Sequence, residues 1–376
     1  MPWVRSPAAS NDRLETDPPI HFSIPTDDPP MKQSNRYVAV LTLATVCLCG
    51  DSETAYAQLD RVYPTDSGSA TAGKIEEVSR NGVKLKTGSS TKEYLENEIR
   101  KMSFQGDPAA LTRGRELALD GQYEQALDEL EGVNPDDMSR DLIKIDAEYY
   151  RLFARAKLAL SGRGDRKAAV AEAIAFARNH SDSFHFFSVA KLLGDLELAN
   201  NNYDQAVKYY GALSNAPATE SKILARYLTG VAMLEKGDTP AAEKAFSDVA
   251  SVDVSSSDAL RIKILAKAGQ AVALAKGGKG KEGLKLVDEL IGQLNPTDIE
   301  MAAQIYNAQG ASFEAAGDLE GAILAYLHTH LMFSGQPDAH AKALSRLVQL
   351  WPKVGRTERA AQARQELQQR YPGFAN

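Results

Sequence analysis

From residue 107 onward the apolar residues recur at helical spacing. Ala242, Ala245, Phe246 and Val249 fall at i, i+3, i+4 and i+7, and Ala206, Tyr209, Tyr210 and Leu213 repeat that stripe. Each stripe belongs to a larger unit: a helix, a Gly or Asn turn, an aromatic or aliphatic residue, then a small residue that opens a second helix. The small residues are Ala126, Ala169, Ala206, Ala242, Gly283, Ala322 and Ala360, separated by 43, 37, 36, 41, 39 and 38 residues. Self-similarity at a nearly fixed period of this size predicts an α-solenoid of about seven helical hairpins. A hairpin that is apolar on two faces cannot bury both alone. Stacking hides them, so stability becomes a sum of repeat and interface contributions.

At these residues the sequence resembles the tetratricopeptide repeat (TPR) family. That family places a small residue at position 8, Gly near 15, Tyr or Leu near 17, Ala at 20, an aromatic at 24 and Pro at 32. The first unit offers Gly114, Gly121, Tyr123, Ala126, Leu130 and Val133, and the third Gly194, Tyr203, Ala206, Tyr210 and Leu213. Gly230, Gly237, Ala242, Phe246 and Val249 make the fourth, and Gly310, Gly317, Leu319, Ala322 and Tyr326 the sixth. The last offers Gly355, Ala360, Leu367 and Pro372, while the units around 145–181 and 262–296 fit loosely. The mean spacing of 39 exceeds the family's period of about 34, and the aromatic at position 4 is mostly missing, so the repeats are TPR-like. The resemblance covers about 270 residues, 107–376.

Ahead of the repeats the period shortens. Ile75 and Val78 precede Asn81-Gly82, a strong hairpin signal with a type I′ turn, and Val83 and Leu85 then alternate with Lys84 and Lys86 as in a half-buried strand. Gly88-Ser89-Ser90 marks another turn. Residues 92–104 fit either a helix, through Leu95, Ile99 and Met102, or further strands. We therefore expect a small β-rich (SH3/Sm-like) module over 71–105, after a Ser/Thr/Gly/Asp-rich linker at 58–70. So small a unit buries little core by itself and gains from docking on the next helix.

The N-terminus has a different pattern. Residues 1–30 are polar, hold seven of the sixteen prolines and show no period, which predicts a disordered extension. Met31 then opens a three-part secretory layout: Lys32 and Arg36, the apolar run Tyr37–Cys49, and Ala55-Tyr56-Ala57. We expect a signal peptide over 31–57 cleaved after Ala57, translation from Met31, and export to the periplasm or cell envelope. A membrane anchor is the alternative, although the run is short of the roughly 20 residues a span requires. Val46 and Leu48 precede the two cysteines, where a lipidation site would need a small residue.

Composition narrows the chemistry. Hydrophobic residues make up 43% of the 376 and charged residues 25%, ordinary globular usage. The net charge of -7 lacks the basic footprint of a nucleic-acid binder. Cys47 and Cys49 both lie in the expected signal, so no disulfide framework or Cys-based zinc site is available after cleavage. No metalloprotease, nucleophile-elbow, EF-hand or P-loop motif is present. His328 and His330 are two apart and point to different faces of one helix. The basic loop Lys276–Lys281 lacks the Ser/Thr of a phosphate loop and falls between helices. Asn179-His180-Ser181 is a sequon by spelling. The aromatic group Tyr149, Tyr150, Phe153, Phe184, Phe186 and Phe187 reads as repeat core. We expect no catalytic residue, no metal and no cofactor.

The TPR resemblance implies a concave groove lined by the first helix of each hairpin, at positions 2, 5, 9 and 12. Carried over, these positions include Arg151, Ala154, Leu158, Lys191, Asp195, Leu224, Tyr227, Val231, Gln304, Asn307 and Ala311. The candidate partner-binding residues are Arg151, Lys191, Asp195, Tyr227, Gln304 and Asn307. The carboxylate-clamp pattern is not met, because Lys191 is followed by Asp195 where an Asn is required. The resulting expectation is a non-catalytic exported scaffold that binds a protein or peptide, not nucleic acid, with no stable membrane span in the mature chain. An envelope enzyme or carbohydrate-acting protein, and a self-associating assembly subunit, are the alternatives.

Overall fold

The computed structural model describes residues 59–374 apart from 135 and 137. The polar extension, the signal segment with its cleavage position, and both cysteines lie outside the described residues. Five strands come first: β1 (Asp60–Pro64), β2 (Thr71–Ser79), β3 (Gly82–Thr87), β4 (Ser90–Leu95) and β5 (Ile99–Ser103). They form one antiparallel sheet in the order β4-β3-β2-β1-β5, with a single 3-10 turn at Glu96–Glu98. This is the expected small β-rich module.

Two local expectations change. The stretch 58–70 contains β1, which lies between β2 and β5 in the sheet. Its polar composition hid a strand whose inward residues are only Asp60, Val62 and Pro64. The β2–β3 turn falls one residue earlier than Asn81-Gly82, because Ser79 pairs with Gly82 and Val78 with Val83. Gly82 opens β3 at φ 151, and a Cβ there would stand 2.1 Å from the Tyr94 carbonyl oxygen. The glycine thus serves close strand approach rather than a type I′ turn. The ambiguous segment 92–104 resolves as strand, turn and strand, since Tyr94, Ile99, Met102 and Phe104 all face inward.

Fourteen helices follow among the described residues, in seven hairpins: α1 (Ala109–Leu119) with α2 (Tyr123–Glu131), α3 (Asp141–Leu160) with α4 (Arg166–Asn179), and α5 (Phe186–Ala199) with α6 (Tyr203–Ala212). Next come α7 (Thr219–Lys236) with α8 (Thr239–Ser251), and α9 (Ser257–Lys276) with α10 (Gly280–Gly292). The last are α11 (Ile299–Ala315) with α12 (Leu319–Met332), and α13 (Pro337–Leu350) with α14 (Thr357–Arg370). Every hairpin turn contains one left-handed residue: glycine in six, and Asn201 at φ 60 in the third. Asp165, Asp238 and Asp318 then cap the second helices by accepting backbone N–H bonds.

Inside the hairpins, a glycine on the first helix lies against a bulky residue on the second. A Cβ on Gly194 would stand 2.3 Å from the Tyr210 ring, and one on Gly310 would stand 2.8 Å from Tyr326. Phe246 is gripped twice, by Gly230 of its own hairpin and Gly269 of the next. The seven small residues that set the period are all buried. The chain therefore folds as a TPR-like α-solenoid preceded by a β-rich module.

The sheet is not a separate ball. Val62, Leu85, Tyr94, Ile99, Met102 and Phe104 share one core with residues of the first three hairpins, Leu111, Ile143 and Leu196 among them. Asp60 joins the two halves: its carboxylate accepts from the Ile75 and Gln105 amides (3.0 and 2.8 Å) and from Arg140 (2.6 Å). Glu96 at the β4–β5 turn accepts from Ser221 Oγ at the start of α7 (2.7 Å).

The array also bends round on itself. Residues Pro372–Phe374, after the last helix, meet the α3–α4 turn, where the Gly373 amide donates to the Ser161 carbonyl (2.9 Å). Arg166 binds the Gly373 carbonyl as well (3.0 Å).

Candidate binding groove

Curvature brings the first helices of the last four hairpins round one cleft of about 480 Å³. Its wall is apolar: Tyr227 and Val231 of α7, Leu265, Ala268 and Val272 of α9, and Ala308 and Ala311 of α11, backed by the Phe246 and Tyr326 rings. Two amides, Gln304 and Asn307, interrupt that wall. Their place follows from the sequence, because positions three apart on α11 share a face. Asn307 is buried and fixed by donation to the Ala339 carbonyl (2.8 Å), while its Oδ1 has no protein partner.

Charges stand at the rim. Lys342 of α13 reaches Glu235 of α7 (4.0 Å), and Arg346 binds Glu314 (2.6 Å). Burial pushes the Tyr227 phenol up to about 12 and raises that of Tyr326 further, so both are neutral hydrogen-bonding groups at physiological pH. No Ser, Cys or His lines this cleft. The lining offers apolar contact, two amides, two ion pairs and the Lys276 ammonium.

Of the six candidate residues, the cleft gathers Tyr227, Gln304 and Asn307. Arg151, Lys191 and Asp195 lie outside it. The Arg151 guanidinium donates to the Leu130 carbonyl (2.7 Å) and also to that of Val133, closing the C-terminal end of α2. Lys191 pairs with Asp195 one turn away (2.7 Å), and Asp195 accepts from Tyr210 OH (3.0 Å). Ala154 and Leu158, carried over on the same pattern, are buried core. Arg151, Ala154 and Leu158 belong to α3 of the second hairpin, whose fit to the family's pattern is loose, whereas Lys191 and Asp195 belong to α5 of the third hairpin, ahead of the helices that form this cleft.

A second cleft, of about 320 Å³, lies between the sheet and α3. Val78, Met102 and Phe104 form one side, Leu142, Ile145 and Asp146 another, and the loop carrying Phe184 and His185 closes it. Behind it Asp146 accepts from Arg115 (2.6 Å) and meets His185 Nε2 (2.9 Å). Burial alone would raise the Asp146 carboxyl, but Arg115 and His185 outweigh it and hold it below the usual range. Arg115 also binds Asp107 (3.0 Å), whose carboxyl burial pushes up. The Tyr149 ring stacks on His185 at 3.7 Å. Sequence reading missed this network, because its members are 31 and 39 residues apart and belong to three elements.

No family model matches the chain, and no curated protein matches it. Solved structures match weakly. A tetratricopeptide repeat protein from Parabacteroides merdae ATCC 43184 is 14% identical, with 69% of this chain and 91% of that one covered and a TM-score of 0.49. A Rap protein complexed with competence and sporulation factor is 14% identical over 71% of this chain and 76% of its own, at 0.48. The apo form of the quorum sensor NprR from B. thuringiensis is 13% identical over 71% and 86%, at 0.44. All three are likenesses of fold, and the assignment of this fold rests on the hairpins described above.

Proposed function

We propose that this protein is a non-catalytic exported scaffold that holds an extended segment of a partner protein in the cleft between α7, α9, α11 and α13. One observation carries the reading: consecutive first helices converge to present an apolar wall with two amides, flanked by two ion pairs and Lys276. An extended peptide suits such a surface, because alternate side chains enter apolar pockets while its backbone meets amides. The secretory layout of residues 31–57 supports work in the periplasm or cell envelope, and no helix among the described residues is long and apolar enough to cross a membrane.

Affinity capture from an envelope extract, with the chain from Gln58 as bait, tests the proposal. One protein should be recovered in stoichiometric amount. Gln304→Arg, which fills the cleft from a half-buried position, should abolish recovery, whereas Lys191→Ala should leave it unchanged. Equal recovery by the wild type and Gln304→Arg would refute the site. Turnover of a substrate panel would refute the scaffold.

A further inference from the structure

Three residues from the last two hairpins converge near the C-terminus. His330 stands near the end of α12, His340 in the first turn of α13, and Glu366 in the last turns of α14. His330 Nδ1 is 2.7 Å from His340 Nε2, and the two rings are stacked within 4° of parallel. Glu366 Oε1 is 3.8 Å from His340 Nε2, and Oε2 is 4.0 Å from His330 Nε2. One donor atom from each residue lies within 4.8 Å of the others. Behind them His340 Nδ1 is 2.9 Å from Tyr371 OH. With its proton on Nδ1, donated to Tyr371, His340 turns the Nε2 lone pair toward the cluster.

We propose that His330, His340 and Glu366 bind a divalent transition metal of the zinc type, tying α12, α13 and α14 together. Two imidazole nitrogens and a carboxylate oxygen form a ligand set that suits zinc better than the all-oxygen preference of magnesium or calcium. Tyr371 supplies the outer partner that ligating histidines require to fix ring and tautomer. The side chain of His330 is 23% exposed and that of Glu366 34%, so an ion can enter from solvent and keep water as a fourth ligand. Arg370 binds Glu366 Oε1 (3.0 Å) and the Ser334 carbonyl (3.1 Å), leaving Oε2 for the ion. Two nitrogens on one tetrahedral zinc stand about 3.3 Å apart, given bonds of about 2.0–2.1 Å. The 2.7 Å contact is instead an N–H···N hydrogen bond. The ion must therefore part the rings by about half an ångström, while the proton between them moves from His330 Nδ1 to His330 Nε2, the nitrogen that faces Glu366.

Isothermal titration of the chain from Gln58 with zinc chloride, in buffers of differing ionisation enthalpy, tests this. The expected result is one ion bound per chain, with a heat independent of the buffer because the proton stays on His330, and a melting temperature raised by several degrees by zinc but not by magnesium. His330→Ala and Glu366→Gln, both at partly exposed positions, should fold with an unchanged far-UV spectrum and lose the shift. Tyr371→Phe should weaken binding about 10–100-fold, as for an outer partner. Absence of zinc binding by the wild type, or a melting shift that survives in both ligand variants, would overturn the site.

Discussion

At the residue scale, stability rests on bulky rings seated against bare backbone. Phe246 is wholly buried between Gly230 and Gly269, so Phe246→Ala removes the ring from two hairpins at once. It should cost about 3–5 kcal/mol in urea unfolding. Gly194→Ala tests the same contact from the opposite side: it adds one carbon where the Tyr210 ring already stands, and should cost about 1–3 kcal/mol. The buried ion pair behaves differently. Asp146→Asn removes the negative charge that faces the Arg115 guanidinium, itself 1% exposed, and leaves one acceptor oxygen where Arg115 and His185 now use two. The loss of one partner from a buried pair should destabilise by about 3–5 kcal/mol. A loss of under 1 kcal/mol would show that the network is solvated.

At the scale of elements, Asp60 matters because it sits on β1 yet binds β2, the segment after β5 and Arg140 before α3. Burial works against its charge, but Arg140 and the two amides prevail, so its folded carboxyl titrates below the ordinary value. A carboxyl depressed in the fold contributes stability above its unfolded pKa of about 3.9, and that contribution is lost as pH falls through the folded value. Stability should therefore fall as the pH drops below about 4, with Asp146 acting in the same direction. Asp60→Asn should lower stability at pH 7 by about 1.5–3 kcal/mol, the range of hydrogen bonds to a charged group, and flatten that acid limb. Denaturant curves at pH 3, 5 and 7 read both effects. Much at this scale was legible beforehand. The alternation of Val83 and Leu85 with two lysines marked β3, and the seven buried small residues marked the hairpins. Strand β1 was not legible, because one of its three inward residues is an aspartate whose burial depends on Arg140, eighty residues away.

On the scale of the whole molecule, the solenoid curls until its end touches its second hairpin. A Cβ on Gly373 would stand 2.5 Å from the Gly162 amide nitrogen, so Gly373→Val should lift Pro372–Phe374 from the α3–α4 turn. Amide exchange should then quicken at 372–374, and the scattering radius of gyration should rise. An unchanged radius with faster exchange would show that side-chain packing alone sets the curvature. The same curling decides the groove. Tyr227, Gln304 and Asn307 were legible as groove positions because α7 and α11 keep the repeat's register. Arg151, Lys191 and Asp195 stand on α3 and α5, outside that cleft, in a helix-end cap and local polar bonds.

The sequence by itself determined the seven helical hairpins and strand β3, since hydrophobic period, glycine turns and small residues act within a few neighbours along the chain. It left His330 facing away from His328 without a partner. Only the tertiary structure decided that His340 and Glu366 would meet it, that Arg115 would lie between Asp107 and Asp146, and which first helices would share a cleft. These pairings depend on the small rotation of each hairpin on the last. That rotation accumulates from side-chain packing across many interfaces, and no local spacing encodes it.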